Sequence, residues 1–521
     1  MKKLPSIFND VIGPVMRGPS SSHTAASWRI ARTCLDILKE PLKKAVIDFD
    51  KNGAWAPNFR EQGTTMGIDG GLLGLEIADD RMKNTELVAK EKGISITYEI
   101  NSFPTNHANT VRLSLEGIKG KKVHVVAASL GGGSFEIQKI NDFEVYIPGG
   151  YYELLIFTKG NQRTLDHLKS ILTPGYQISE SVKGDKKLFN VKSSNKFLEK
   201  ELDHLNFHFQ EDEIVVINPL LPVVLGNESE MPFTTISSLF EYAKKENLDL
   251  GELGLIYEKH LSGLSDAELF NKMQNIIEVI ETSISTGLKG TNYKDRILHQ
   301  QSHLIKEARK KRKISQNSLV NNIVANVTAI MESKSGMEVI VANPTAGSCG
   351  TVGGVIKAVA DDLNSTKEDK IKAYFAAGLA GAYFAQGPGF SAEEHGCQVE
   401  CGAAGGMAAA GIAQLFGGTV KQAIGAASLA VQNSIGMVCD PVADRVEVPC
   451  LGKNVSAAMN ALSSATMACA GFNAVIPYDE VIQTVSKVSI QMPTCVKCTG
   501  LGGLAVTPTS IRLKKDLERN V

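Results

Sequence analysis

The chain has 521 residues, of which 43% are hydrophobic and 21% charged, with a formal net charge of -1. That length implies roughly three domains, and the composition is that of a soluble globular protein with large cores. The charge balance argues against nucleic acid or an anionic membrane as a partner.

The N-terminal stretch Met1-Lys2-Lys3-Leu4-Pro5-Ser6 lacks the apolar run of a signal peptide, so a cytoplasmic location is expected. Up to about residue 145, helices and strands alternate. Residues 25–39 have helical periodicity, and residues 45–49, 94–100, 111–115 and 123–128 read as strands. Gly131-Gly132-Gly133 breaks the last of these before Phe135-Glu136-Ile137. This predicts an α/β N-terminal domain over 1–148.

The pattern then becomes strand (152–158), helix (162–171), hairpin (176–181 and 188–191 around Gly184-Asp185), helix (196–205) and strand (213–217). That order is the ferredoxin-like split βαβ, an α+β module over 149–220. Pro219, Pro222, Gly226 and Pro232 mark a connector over 219–231. Beyond it, residues 233–245, 266–286, 315–333, 371–384, 402–415, 420–433, 456–470 and 479–489 read as helices, predicting a mostly α domain over 232–521. The basic run at 306–313 reads as the solvated face of a helix. Residues 401–420 carry no charge over a spanning length, but they are rich in Gly and Ala, which fits buried helices better than a membrane span.

Nine cysteines are unevenly placed: Cys34 stands alone, while Cys349, Cys397, Cys401, Cys439, Cys450, Cys469, Cys495 and Cys498 crowd the last third. In an intracellular chain this points to thiols or metal rather than disulfides. Cys397 follows Glu394-His395-Gly396, Cys439 precedes Asp440-Pro441-Val442, and Cys450 follows Val448-Pro449. Three thiolates held this way suit a metal centre with a fourth position open to substrate. Spacing alone leaves four readings open: zinc, thiol pairs such as the Cys495/Cys498 C-x-x-C or Cys397/Cys401 at i, i+4, buried apolar residues, and an iron–sulfur cluster. Cys349 is equally a buried small residue or a site thiol.

Three further motifs carry polar chemistry. Gly18-Pro19-Ser20-Ser21-Ser22-His23-Thr24 opens the first long helix, where hydroxyls and free backbone N–H groups attract an anion or carboxylate. Asn106-His107-Ala108-Asn109-Thr110 lies just before a strand and offers acid/base or donor groups. Asn343-Pro344-Thr345-Ala346-Gly347-Ser348-Cys349-Gly350 is a small-residue loop before a helix, without the Lys of a P-loop.

Together these segments resemble the iron–sulfur-dependent L-serine dehydratases. The stretches that carry the resemblance are Ile12-Gly13-Pro14-Val15-Met16, Gly18 to Thr24, His107-Ala108-Asn109-Thr110, Ser129-Leu130-Gly131-Gly132-Gly133, Pro344-Thr345-Ala346-Gly347, Gly396-Cys397-Gln398, Met407-Ala408-Ala409-Ala410-Gly411, Cys439-Asp440-Pro441-Val442-Ala443, Val448-Pro449-Cys450 and Gly502-Gly503-Leu504-Ala505. They cover nearly the whole chain, which looks like a fusion of separate β and α chains with an ACT-like module between. The resemblance implies a 4Fe–4S cluster on Cys397, Cys439 and Cys450, and conversion of L-serine to pyruvate and ammonia. It implies a carboxylate held by Ser20, Ser21 and Ser22, with Asn109, Thr345 and Gly347 also lining the substrate site. The expected assembly is a homodimer acting on a small-molecule amino acid, with no nucleic-acid or membrane partner.

Two departures stand out. The family's usual Gly-His-Gly-Thr-Asp segment, whose His is a candidate base, corresponds to Glu61-Gln62-Gly63-Thr64-Thr65. Because Gln62 cannot exchange a proton, His107 becomes the preferred candidate base and His23 the second. The family's Arg-Glu-Thr segment before Gly502-Gly503 reads Lys497-Cys498-Thr499, which adds a thiol. The missing histidine also keeps two other readings open: a related β-eliminase acting on threonine, cysteine or a hydroxy acid, and an inactive ligand-sensing homologue.

Overall fold

The computed structural model describes residues 4–159, 162–172, 175–209, 212–224, 226 and 231–519. The first part comprises β1 (Val15–Met16), α1 (Ala26–Leu38), β2 (Leu42–Asp50), α2 (Thr64–Leu72), α3 (Thr85–Glu91), β3 (Ser95–Asn101), β4 (Thr110–Gly117), β5 (Lys122–Gly131), β6 (Ser134–Ile140) and β7 (Phe143–Ile147). Six strands form a mixed sheet in the order β3-β2-β4-β5-β6-β7, in which only β2 and β3 pair in parallel. Alternation along β4 puts Val111, Leu113 and Leu115 on the buried face with Ala45, Ile47 and Phe49 of β2 and Ile30, Cys34 and Ile37 of α1. The sequence pattern missed β7, whose alternate residues are solvent-facing.

A second sheet is built from β8 (Tyr152–Thr158), α4 (Gln162–Ile171), β9 (Gln177–Lys183), β10 (Lys186–Ser193), α5 (Glu199–His208) and β11 (Glu213–Ile217). Its strands run β11-β8-β10-β9 with every neighbour antiparallel, so β10 splits the β8-α4-β9 unit. The connector expected over 219–231 lies partly outside the described residues.

The remainder is mostly helical: α6 (Ile236–Glu246), α7 (Leu250–Ser262), α8 (Asp266–Lys289), α9 (His303–Lys310), α10 (Ser318–Ser335), β12 (Ile340–Val341), α11 (Cys349–Asp362), α12 (Lys367–Ala385), α13 (Ala392–His395), α14 (Cys401–Leu415), α15 (Val420–Gln432), α16 (Cys450–Cys469), α17 (Tyr478–Gln491) and α18 (Pro508–Glu518). The uncharged run at 401–420 is mainly α14, packed among α11, α12, α15 and α16. Among the described residues no helix is long and apolar enough to cross a membrane. Sequence periodicity missed α7 because Gly251 and Gly254 dilute it. Those glycines let α7 approach α12, where a Cβ would stand 2.6 Å from the Lys372 carbonyl oxygen and 2.5 Å from that of Phe375.

The N-terminal segment ties the two larger parts together. Ile7, Phe8, Val11 and Ile12 belong to the helical core. Glu258 on α7 accepts hydrogen bonds from the Ser6 hydroxyl (2.5 Å) and the Ile7 N–H (2.7 Å). β1 then pairs with β12, Val15 opposite Val341 and Met16 opposite Ile340. The chain therefore enters Gly18 to Thr24 already held against the loop that follows β12.

Candidate active site

Cys397, Cys401, Cys439 and Cys498 pack into one buried cluster in the helical part, and Cys450 adjoins it through Asn454. Cys397 follows α13, Cys401 and Cys450 open α14 and α16, Cys439 forms an isolated bridge with Lys497 of a second segment, and Cys498 follows that bridge in a left-handed conformation. All five are at most 5% exposed. The two segments are clamped together: the Cys439 N–H donates to the Val496 carbonyl (2.8 Å), and the Cys498 N–H donates to the Cys439 carbonyl (2.9 Å). Asn454, one turn into α16, donates to the Cys450 and Gly347 carbonyls at 2.8 Å each and lies 3.7 Å from the Cys401 sulfur.

The Cys397 and Cys439 sulfurs and a Glu400 carboxyl oxygen lie within 4.8 Å of one another. Hydrogen bonds from the Cys401 and Cys439 thiols hold Cys397 well below the ordinary thiol value, against burial and with help from Lys453. Burial and the Cys397 charge push Glu400 far above the usual carboxylate range. Burial also pushes Cys450 up, as does Cys397. Burial works against the Lys453 charge, but Cys397 and Asp440 outweigh it and raise the ammonium above its usual value. Lys453 donates to the Val438 carbonyl and to Asp440 Oδ1, both at 2.7 Å. A nest of soft sulfur donors with a stabilised thiolate and a fixed cation beside it fits a thiolate-bound metal or iron–sulfur group.

The first part supplies the facing wall. The turn Ser21–Ala25 runs into α1, and Ser20 caps it by accepting from the His23 N–H (3.4 Å). The Ser20 and Ser22 hydroxyls each lie 3.1 Å from His23 Nδ1. The Ser22 hydroxyl donates to Glu393 (2.7 Å), and His23 Nδ1 is 3.5 Å from the same carboxyl oxygen. His23 Nε2 lies 3.1 Å from Asn58 Oδ1, and the Asn58 amide donates to the Cys498 carbonyl (3.4 Å). Burial pulls His23 below the ordinary imidazole value, against the Glu393 charge and the Asn58 hydrogen bond that raise it. Gln62 is buried, with its amide nitrogen 3.9 Å from the Cys498 sulfur.

The other sequence candidates reach the same region. Ser21 Oγ accepts from the Ala346 N–H (3.2 Å), Thr345 donates to Glu400 (2.7 Å), and a Cβ on Gly347 would stand 3.0 Å from Glu400. His107 Nε2 is 3.4 Å from Glu394, and His107 Nδ1 accepts the Asn109 N–H at 3.0 Å. The Asn109 side chain is wholly buried, and neither amide atom has a partner among the described residues. Cys34, Cys349, Cys469 and Cys495 stand apart from the sulfur nest. Cys349 packs 3.9 Å from the Met331 sulfur, and burial pushes its thiol up to about 12. Sequence reasoning missed Glu393, Glu400, Asn58, Lys453 and Asn454. Two signals were present: Glu393 and Glu394 directly precede His395-Gly396-Cys397, and Glu400 is the one charge between Cys397 and Lys421.

Comparison with known proteins gives a consistent result. Residues 174–505 match the family described as serine dehydratase alpha chain. A probable L-serine dehydratase alpha chain of Bacillus subtilis is 35% identical over 285 residues, which is 55% of this chain and 95% of the relative. The probable L-serine dehydratase beta chain of the same organism is 33% identical over 170 residues, 33% of this chain and 76% of the relative. An L-serine dehydratase of Helicobacter pylori is 28% identical over 375 residues, 70% of this chain and 77% of the relative. The chain belongs to the serine dehydratase alpha chain family.

Proposed function

We propose that this protein is an L-serine ammonia-lyase that converts L-serine to pyruvate and ammonia with a 4Fe–4S cluster held by Cys397, Cys439 and Cys450. The observation that carries this reading is the apposition of a buried sulfur nest to the Ser20–His23 turn, through Glu393 on one side and Asn58 on the other. When bound, the cluster supplies a Lewis-acidic iron that makes the β-hydroxyl a better leaving group.

The chain's own residues do the rest. Hydroxyls of Ser20, Ser21 and Ser22, with free N–H groups at the start of the turn, receive the substrate carboxylate. His23 is the base. Its Nε2–H points to Asn58 Oδ1, which leaves the Nδ1 lone pair toward Ser20, Ser22 and Glu393. Glu393 stabilises the imidazolium formed when Nδ1 takes the α-proton. His107 is less suited, because the Asn109 N–H already occupies its Nδ1 and Glu394 faces its Nε2. Asn109, Thr345 and Gly347 complete the chamber. Loss of the α-proton and hydroxide leaves an enamine, which becomes an imine and takes up water to release ammonia and pyruvate.

The three segments 1–148, 149–220 and 232–521 are proposed as the domains of this enzyme. The middle one is read as an ACT-like ligand sensor, supported by the β11-β8-β10-β9 strand order. We further propose a cytoplasmic homodimer. Anaerobically purified protein should carry about four iron atoms per chain and release pyruvate and ammonia from L-serine. Cys439→Ser should lose iron and turnover together. Stoichiometric zinc in place of iron, or turnover on another hydroxy or thiol amino acid with none on serine, would overturn the reading.

A further inference from the structure

A carboxyl oxygen of Glu400 shares one small volume with the Cys397 and Cys439 sulfurs, all three lying within 4.8 Å of one another. The backbone fixes it there. Across the short turn Cys397–Val399, the Glu400 N–H donates to the Cys397 carbonyl (3.1 Å), and the Glu400 carbonyl accepts from the Ala404 N–H of α14 (2.8 Å). The side chain is fixed as well. The Thr345 hydroxyl donates to Oε1 (2.7 Å), and Oε2 lies 3.7 Å from the Cys397 sulfur. Gly347 leaves room for this group, because a Cβ there would stand 3.0 Å from Oε1. The loop that carries Thr345 and Gly347 is tied in turn to the third expected ligand: Asn454 donates to the Gly347 and Cys450 carbonyls at 2.8 Å each.

The neighbouring carboxylates are engaged elsewhere. Glu393 accepts from the Ser22 and Ser391 hydroxyls and faces His23, Glu394 faces His107 at 3.4 Å, and Asp440 accepts from Lys453 at 2.7 Å. Among the described residues no Lys, Arg or His lies within ion-pair distance of Glu400. Two sulfurs and a carboxylate this close repel one another once ionised, and a cation between them reverses the sign of that interaction. A hydrogen bond to the remote oxygen, like that from Thr345, is the usual way a metal-ligating carboxylate is oriented.

We propose that Glu400 is the fourth protein ligand of the metal centre, its carboxylate closing the position that the three thiolates leave open until substrate arrives. This rests on the thiolate-bound cluster proposed above. Oxygen is a harder donor than thiolate, so on an iron–sulfur centre Glu400 is the most weakly held of the four. A substrate oxygen replaces it like for like, one oxygen donor for another, with no change of oxidation state. Thr345 keeps the displaced carboxylate beside the site.

The test compares wild type with Glu400→Gln in the full chain, reconstituted anaerobically with iron and sulfide. Gln keeps the shape, can still accept from Thr345 and can still meet the Cys397 sulfur, but it lacks the charge of a ligating carboxylate. Metal-free Glu400→Gln should melt no lower than wild type. Once loaded, it should release its first iron to a chelator about tenfold faster or more, since even an outer partner of a ligand is worth that much in metal affinity. Saturating serine should remove the difference, because substrate then holds the position in both proteins. Mössbauer spectra of the loaded proteins should differ at one iron site, and less so with serine bound. Equal iron release and equal spectra would mean that Glu400 only accepts a hydrogen bond from Cys397; the inference fails and the cluster reading stands. A difference in release that persists in saturating serine would place Glu400 away from the position substrate takes, and would overturn it. A sharp fall in metal-free stability would make Glu400 a structural residue and overturn it too. A wild-type protein that takes up no iron would sink the cluster reading and this inference together.

Discussion

The side-chain amide of Gln62 lies 3.9 Å from the sulfur of Cys498, across the boundary between the six-stranded part and the helical part. The Asn58 amide reaches the carbonyl of the same cysteine at 3.4 Å. Two amides from one turn thus fasten the segment that clamps Cys439. Gln62→Leu keeps much of the volume and removes one donor, so closure over the substrate should weaken while the sulfur nest stays intact. The expected result is a KM for serine raised several-fold, on the scale of one hydrogen bond of about 1 kcal/mol, with iron content unchanged. Steady-state kinetics beside iron analysis decide it. Wild-type KM in the variant would show that this contact does not bear on the substrate.

His23 and His107 make opposite predictions. His23→Asn should lower turnover by about a hundredfold or more, with iron retained, and His107→Asn should cost much less. The reverse order would move the base to His107. Burial sets His23 below its ordinary value of 6.5, so the acid limb of kcat/KM should lie below that of a free imidazole. The same shift affects stability. Below pH 6.5 the unfolded chain takes up a proton that folded His23 resists, so this contribution declines from there until the folded value is reached. An acid limb above pH 6.5 that persists in His23→Asn would point to another group.

The parts of the site that are contiguous in sequence were readable from it. Ser20 to His23, His107 to Asn109 and the turns around Cys397, Cys439 and Cys450 announce themselves by local chemistry. Glu393 did not, because its role comes from Ser22, 371 residues away. The threading of Ile7, Phe8 and Val11 into the helical core was equally hidden, because a short apolar run does not say which core it joins. Strand and helix periodicity survived where one face is solvated, as in β4, and failed in α7, where glycine interrupts the apolar stripe.

Glu153 offers a test in the four-stranded sheet. It is fully buried on β8, and the Asn190 amide of β10 donates to it at 2.7 Å. Burial raises its pKa from 4.5 to about 7, against Lys192 and Asn190. A raised folded value means the stabilising contribution is fully present below pH 4.5 and is lost as pH climbs to about 7. The loss is of order 3 kcal/mol. Glu153→Gln stays neutral and should remove this slope. Denaturant unfolding at pH 5 and pH 7.5 measures it, and equal slopes in both proteins would show that Glu153 is ionised throughout.

The turn between β5 and β6 presses its backbone into the site wall. Gly131 has φ +91, and a Cβ there would lie 2.7 Å from the Ser391 nitrogen and 2.9 Å from the Phe390 carbonyl carbon. Those atoms are backbone and cannot swing aside. Ser391 donates to Glu393 (3.0 Å), which in turn accepts from Ser22, while Ser129 on β5 donates to the Ser22 carbonyl (2.8 Å). Gly131→Ala should therefore displace Glu393 as well as strain the turn. Gly120 provides the control, because its φ is +90 but a Cβ there would meet nothing within 4 Å. Gly120→Ala should cost about 1–2 kcal/mol of stability from the left-handed backbone alone and leave turnover unchanged. Gly131→Ala should cost more and lower turnover by tenfold or more, as displacements of about 1 Å do in a positioned site. Equal losses of stability and unchanged turnover in both variants would mean that the turn does not position Glu393.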